Sequence, residues 1–367
     1  MYEQYGLKDP FFLMLYGCVT TTALLGCLYI LVTPRSHLAA HVMPPKALRY
    51  WTAAFLFIVT ASHIWWAVLG TIWLQDDKFL RNTTAIMLDY VTIVPLMMAV
   101  FLNLLQDRKR MLWPFVIAHI PIIVMAIYGM VTENIAVSKH MLYYQVAIIA
   151  IFVIYYVRAL RQYDRWLYEN FADFEHKEVW RSLLFLFCFM VLYYAYTSNS
   201  GEMTMEYLSQ VLSLFIVSFL VWRVETLQTL MPSEVELATS DNNDMASSAS
   251  KNNDSYIALL LQSHCEDTQL YLQHDLTLSQ LSAAIGTNRT YLSSYFAQQG
   301  ETYNTYINRL RIKHFIQLYH EAVNNSRPFT AQELSHQCGY RTYRTFSIAF
   351  KQHVGVPVTT WIKSEKA

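Results

Sequence analysis

Thr277-Leu-Ser-Gln-Leu-Ser-Ala-Ala-Ile-Gly286 and Thr330-Ala-Gln-Glu-Leu-Ser-His-Gln-Cys-Gly339 are two writings of one pattern. Thr, Leu281/Leu334, Ser282/Ser335 and the closing Gly recur at a single offset of 53 residues. Each copy predicts a short helix. Its Thr suits the N-cap, its apolar residues lie three to four apart, and its Gly is free to take φ > 0 at the end. A second helix is predicted after each Gly, from Asn288-Arg-Thr-Tyr-Leu-Ser-Ser-Tyr-Phe296 and from Arg341-Thr-Tyr-Arg-Thr-Phe-Ser-Ile-Ala-Phe-Lys351. A helix, a Gly turn and a second helix with polar, Arg-bearing outer positions make a helix-turn-helix unit. One copy would be weak evidence; two in register are strong.

Taken together, residues 277–361 resemble the DNA-binding domain of AraC-type bacterial transcription regulators. In that family two helix-turn-helix units are joined by a long central helix. Here residues 303–319, with Tyr306-Ile-Asn-Arg-Leu-Arg-Ile, match its pattern, and Phe346 and Phe350 match its core anchors. The chain departs from the pattern at Phe315, where a small Ala is usual, and at Ile348, where a polar or basic residue is usual. Gly355-Val-Pro-Val also carries its Pro one position early. The resemblance implies double-stranded DNA as the partner, with RNA polymerase and a second copy of the chain as further expected partners.

In each unit the apolar residues of the second helix are expected to point inward: Leu292, Tyr295 and Phe296, then Phe346 and Phe350. The outward polar positions are Arg289, Thr290, Ser293 and Ser294 in the first unit, and Thr342, Tyr343, Arg344 and Ser347 in the second. By resemblance, Thr290, Ser293, Ser294, Tyr343, Arg344 and Ser347 face the groove. Arg344 is the strongest candidate for base readout, because Arg pairs bidentately with guanine. Arg289, Arg341 and Lys351 are expected on phosphate, which sets register without reading sequence. The bland reading is that these are solvated polar faces, and the small residues of the first unit distinguish least between the two. From residue 256 onward ten basic residues face seven acidic ones, a net of +3, so non-specific affinity should be modest and salt-sensitive.

The rest of the 367-residue chain is different in kind. Only 15% of residues are charged and 54% are hydrophobic, against about 25% charged in a typical soluble domain. Seven apolar runs follow one another at residues 11–33, 50–74, 86–105, 112–131, 141–160, 179–199 and 204–222. Each approaches the ~20 residues that span a ~30 Å hydrocarbon layer. Seven buried helices of a soluble protein would show polar faces, so the reading is a seven-helix membrane region with lipid as its surroundings. The connections expected inside carry twelve Lys/Arg and those expected outside carry four, Lys8, Lys78, Arg81 and Lys139. The positive-inside rule then puts the N-terminus outside and the C-terminus in the cytoplasm, the side on which DNA lies. The expected location is a bacterial inner membrane. The polar start, with Glu3, Lys8 and Asp9, does not read as a cleaved signal.

Within the runs, His63, Asp89, Asn103, His119 and Gln145 are polar. Intramembrane ionisable groups tend to face the bundle interior and to mark function. His63, Asp89 and His119 are therefore candidate sensing residues. Asp89 lies close enough to the outer end of its run to reach interfacial water instead. Pro95, Pro114 and Pro121 are expected to kink or break their helices. Five scattered Cys form no CxxC or zinc spacing, and His37/His41 has no obvious third ligand, so no metal is expected. No GxSxG, HExxH or P-loop occurs, so neither catalysis nor a cofactor is expected.

The expected organisation is thus all-α: residues 1–230 as a seven-helix membrane region, 231–255 as a flexible Ser/Asn/Asp-rich linker, and 256–367 as an AraC-like double helix-turn-helix domain. The expected function is a membrane-anchored, sequence-specific transcription regulator whose bundle answers an unknown small molecule or membrane protein. The alternative is a transporter or channel with a C-terminal regulatory or partner-binding module.

Overall fold

The computed structural model describes residues 9–33, 36–38, 43–74, 76–172, 177, 179, 181–198, 203–230 and 252–365. The expected linker at 231–255 lies almost wholly outside them. Among the described residues every regular element is helical, apart from one isolated antiparallel bridge between Phe171 and Thr277. The chain divides into two compact units, residues 1–163 with 176–231, and residues 164–175 with 232–367.

The first unit is built from α1 (Pro10–Val32), α2 (Lys46–Val68, continued by a wider turn over Leu69–Trp73), α3 (Lys78–Leu104), α4 (Trp113–Ile117), α5 (Ile120–Thr132), the part of α6 (Ala136–Asn170) before residue 164, α7 (Ser182–Ser198) and α8 (Met203–Thr226). Among the described residues six helical stretches are long and apolar enough to cross a membrane: 10–32, 46–73, 78–104, 113–132, 136–170 and 203–226. The sixth expected run forms α7, whose apolar stretch Ser182–Leu192 is shorter than a span requires by itself. The fourth run is interrupted between α4 and α5, with Pro114 and Pro121 each in a first turn. There the missing N–H removes no intrahelical bond. Pro95 stays inside α3.

Helix α2 packs on α1, α3 and α8, α1 also packs on α8, and α7 packs on α8. Gly26 marks a close approach, since a Cβ there would lie 3.1 Å from Val221 and 3.3 Å from Leu56. Helix α1 is apolar all round and leaves Leu25, Leu28 and Leu31 exposed, as suits a lipid surrounding. Its last carbonyls, Ile30 O and Thr33 O, receive the guanidinium of Arg49.

The second unit contains α9 (Asn252–Leu261), α10 (Leu278–Ala284), α11 (Arg289–Gln298), α12 (Tyr303–Asn324), α13 (Ala331–Gln337), α14 (Tyr343–Val354) and α15 (Val358–Glu365). The segment that opens this unit is α9, then a wider turn at Gln262–Glu266 and a single tight turn at Leu270–Leu272. Helix α12 runs five residues beyond its expected end and serves two cores. Tyr303, Tyr306, Ile307 and Leu310 join a cluster with Leu281, Leu292 and Phe296. Ile312, Phe315 and Tyr319 join another with Leu334, Phe346, Phe350 and Val358.

Candidate nucleic-acid interface and bundle cavity

Both helix-turn-helix units begin on the same device. The Thr277 hydroxyl accepts from the Gln280 N–H while the Gln280 side chain accepts from the Thr277 N–H. Thr330 and Glu333 repeat this at α13, so each is a complete capping box. Both first helices end on a left-handed Gly, with φ of +72° at Gly286 and +85° at Gly339. The following N–H closes the turn, Thr287 to Ser282 O at 2.9 Å and Tyr340 to Ser335 O at 3.2 Å.

The turns then differ by one residue. Asn288 caps α11 by accepting from Tyr291 N–H at 2.7 Å. Thr342 caps α14 by accepting from Thr345 N–H at 3.4 Å. Two residues separate Gly339 from its cap, where one separates Gly286 from its own. The second helices therefore correspond at an offset of 54. Leu292 pairs with Phe346 and Phe296 with Phe350, all buried.

That register sorts the candidate residues. Thr290 and Arg344 correspond and are exposed; Ser293 and Ser347 correspond and are half-buried. Ser294 is exposed, with its hydroxyl turned back to Thr290 O at 3.0 Å. It corresponds to Ile348, which is 50% exposed. Lys351 is exposed on the last turn of α14. Tyr343 packs against Phe346, with ring planes tilted by 49° and ring centres 5.7 Å apart.

Three of the candidate DNA-contact residues have other work in this structure. Thr342 is a cap, Arg341 lies in the turn and pairs with Asp275, and Arg289 donates to Asn170 Oδ1 at 2.9 Å. Burial lowers the Arg289 pKa from its usual value, and Glu169 partly offsets this. Asn170 belongs to the same unit.

Sequence reasoning assigned no role to Arg311, which is fully buried. Its Nε donates to Tyr271 O at 2.7 Å and Nη2 to Gln273 O at 2.8 Å, with the guanidinium 5.3 Å from the Tyr340 ring centre. It ties the connection between α9 and α10 to α12 and to the turn of the second unit. The signal was its spacing, four residues after Ile307 and four before Phe315 on the apolar face.

Residues 281–364 match a helix-turn-helix domain family. The match supports an AraC-type helix-turn-helix domain in the C-terminal part of the chain, and that family is a DNA-binding and not a catalytic one. The match covers the two units and does not extend to the bundle. Comparison with the curated proteins and with the solved structures gave no match.

The polar residues of the bundle divide between two places. His63 and Asp89 line one cavity of about 170 Å³ within the first unit. Asp89 is buried and faces inward: Ser62 Oγ donates to its Oδ1 at 2.7 Å and Trp66 Nε1 to its Oδ2 at 2.8 Å. The His63 ring meets Val59 O at 2.8 Å through Nδ1 and the Gln210 amide at 3.0 Å through Nε2. A carbonyl only accepts, so Nδ1 carries a ring proton, and the Gln210 atom facing Nε2 is its amide oxygen.

His119 is elsewhere. It is buried at the break between α4 and α5, with Nδ1 donating to Phe115 O at 2.6 Å and Nε2 at 3.3 Å from Gln145 Nε2. Gln145 thus partners His119, and Asn103 donates to Ala99 O within its own helix at 2.8 Å. Tyr16, Ser62, Trp66, Glu206 and Gln210 also line the cavity, and sequence reasoning named none of them as site residues. Their spacing along three helices carries no sign that they converge. Among the described residues no cluster of His, Cys, Asp and Glu could hold a metal.

Proposed function

We propose that this chain is a membrane-held, sequence-specific transcription regulator whose bundle receives a signal and whose C-terminal domain binds double-stranded DNA in the cytoplasm. The carrying observation is the pair of capped helix-turn-helix units built on one continuous helix. At 1.5 Å per residue the 22 residues of α12 extend roughly 33 Å. That is close to the ~34 Å between successive major grooves on one face of DNA. Thr290, Ser293 and Ser294 would read one groove, and Arg344 and Ser347 the next. The six apolar helices and the Lys/Arg-rich connections support an inner-membrane location with the N-terminus outside.

Genome-wide crosslinking of the intact protein tests the reading. A limited set of sites sharing one motif is expected; uniform recovery of DNA would remove sequence-specific regulation. A periplasmic reporter fused after Arg223 should stay silent, and activity there would strand the DNA-binding domain on the wrong side. The sensing role is tested by replacing the bundle with one unrelated apolar span of the same orientation. Loss of condition-dependent output is expected, and unchanged regulation would make the bundle an anchor only.

A further inference from the structure

Helix α6 runs unbroken over Ala136–Asn170, and residues 164–175 belong to the second unit. There Asn170, Phe171 and Ala172 are all buried. Ala172 belongs to the same core cluster as Leu292 and Phe296 of the first helix-turn-helix unit. Asn304, buried on α12, donates from Nδ2 to Phe171 O at 3.0 Å and to Ala172 O at 2.9 Å. Asn308, one turn further on, donates to Asn304 Oδ1 at 3.1 Å and accepts from the Tyr340 hydroxyl at 2.9 Å. The end of α6 is thus tied into the domain, and the consequence falls on Arg289. Its Nε donates to Asn170 Oδ1 at 2.9 Å, across 119 positions of sequence. Asn170 is itself held, its Nδ2 donating to Trp166 O at 2.7 Å.

Arg289 is the first residue of α11. A helix N-terminus and an arginine both favour an anion, so this is a place for DNA phosphate. Here an amide oxygen sits on Nε where a phosphate oxygen would sit. A bond from guanidinium to phosphate is the stronger of the two, because both partners are charged. The amide keeps its place because Asn304 and the burial of Ala172 fix the residues that follow it. We propose that residues 164–172 are an autoinhibitory strap, which withholds Arg289 from DNA while docked on the first helix-turn-helix unit. The strap is the end of α6, a helix long and apolar enough to cross a membrane. A shift of that helix draws Asn170 off Arg289 and frees the guanidinium for phosphate. The assignment rests on the C-terminal domain being DNA-binding, and names the element through which the bundle acts on it.

The competing possibility is that this segment is a permanent part of the domain core and that Arg289 serves only to hold it. Random-sequence duplex DNA separates the two, because it reports phosphate contacts without requiring the operator. Its binding to full-length protein in nanodiscs is measured against salt concentration, with the thermal midpoint followed in the same preparations. Asn170→Ala removes the acceptor from Arg289 and leaves the Asn304 anchor in place; Asn304→Ala removes the anchor. Each should tighten binding and steepen the slope of log K against log salt by about 0.9, the worth of one phosphate. Arg289→Ala should cost more in the Asn170→Ala background than in the wild type, and there it should cancel the gain.

Unchanged or weakened binding in Asn170→Ala, or an equal cost of Arg289→Ala in both backgrounds, would overturn the assignment. Where Asn304→Ala lowers the midpoint through loss of fold, Asn170→Ala decides alone. Failure of the DNA-binding reading looks different. The wild type and every variant would then fail to retain the duplex even at low salt, and the strap would fall with that reading.

Discussion

The two helix-turn-helix units share a plan and differ in what fills it. Each has a capping box, a left-handed Gly and two buried anchors on its second helix. The second core is built on apolar aromatic rings. Phe315, Phe346 and Phe350 lie with ring centres 4.5 to 5.7 Å apart, and Trp361 closes on Phe350 at 5.5 Å. The first core is a mixture in which Tyr303 and Tyr306 use their hydroxyls, on Leu276 O at 2.8 Å and Glu266 at 3.0 Å. The outer faces differ too: the corresponding exposed positions are Thr290 and Arg344. One scaffold thus carries a unit with a strong base-reading candidate and a unit whose outer residues are small. The first unit is expected to add register and area, and the second to add discrimination.

The largest expected effect lies in the aromatic core. Phe350→Ala should destabilise the C-terminal unit by about 3–5 kcal/mol, read from denaturant midpoints. A loss under about 1 kcal/mol would show that these rings are not what holds the second core.

The turn glycines give a sharper contrast. A Cβ on Gly339 would lie 2.6 Å from the Leu272 carbonyl oxygen, whereas nothing lies within 4 Å of one on Gly286. Gly286→Ala should cost only the left-handed backbone strain, about 1–2 kcal/mol. Gly339→Ala adds a backbone clash of about 1–3 kcal/mol to the same strain. Equal losses would remove the close approach as the distinguishing feature.

On DNA, Arg344→Ala should cost about 1–3 kcal/mol at one base pair and relax preference there, while Lys351→Ala weakens all sequences alike. Equal losses on specific and random DNA would take Arg344 out of base readout. The caps test the likeness of the two units. Thr277→Ala and Thr330→Ala should each cost about 0.5–2 kcal/mol, and a wide gap between them would break the symmetry.

A last likeness is the thiol pair. Burial pushes Cys265 and Cys338, one in each core, up to about 12. The neutral thiol is then the folded form, so alkylation of both at pH 8 should be slow until the unit unfolds. Because each folded value lies above the unfolded one, this contribution to stability is complete below the ordinary thiol range near 8.5. It is lost as pH rises toward 12. Fast labelling of either at pH 8 in folded protein would place it outside its core.

What could be read from the chain follows from the range of the forces involved. The Thr caps, the Gly turns and the apolar spacing of α10 to α14 are local, since each depends on residues within one or two helical turns. They were legible, and so were the long apolar stretches, because length and hydropathy alone decide whether a helix can span. The exact start of α14 was not legible. Arg341 and Thr342 were expected within or beside the second helix, but the longer turn places Arg341 before the cap and makes Thr342 the cap itself. Both residues tolerate either position, and only the fit of Phe346 and Phe350 into their core chooses.

The amino-acid sequence by itself determined that this protein is helical throughout its described length, that one part is apolar on the scale of a membrane, and that the other repeats a helix-turn-helix plan. Tertiary structure alone decided which polar groups meet. It brought Asp89 to Ser62, Trp66 and the cavity, sent His119 to Gln145 instead, and turned Arg311 inward to Tyr271 and Gln273. Those pairings join residues 23 to 40 positions apart. No short-range rule relates such positions. Burial leaves a polar group little choice but to find a partner, and the packing of whole helices determines which one it finds.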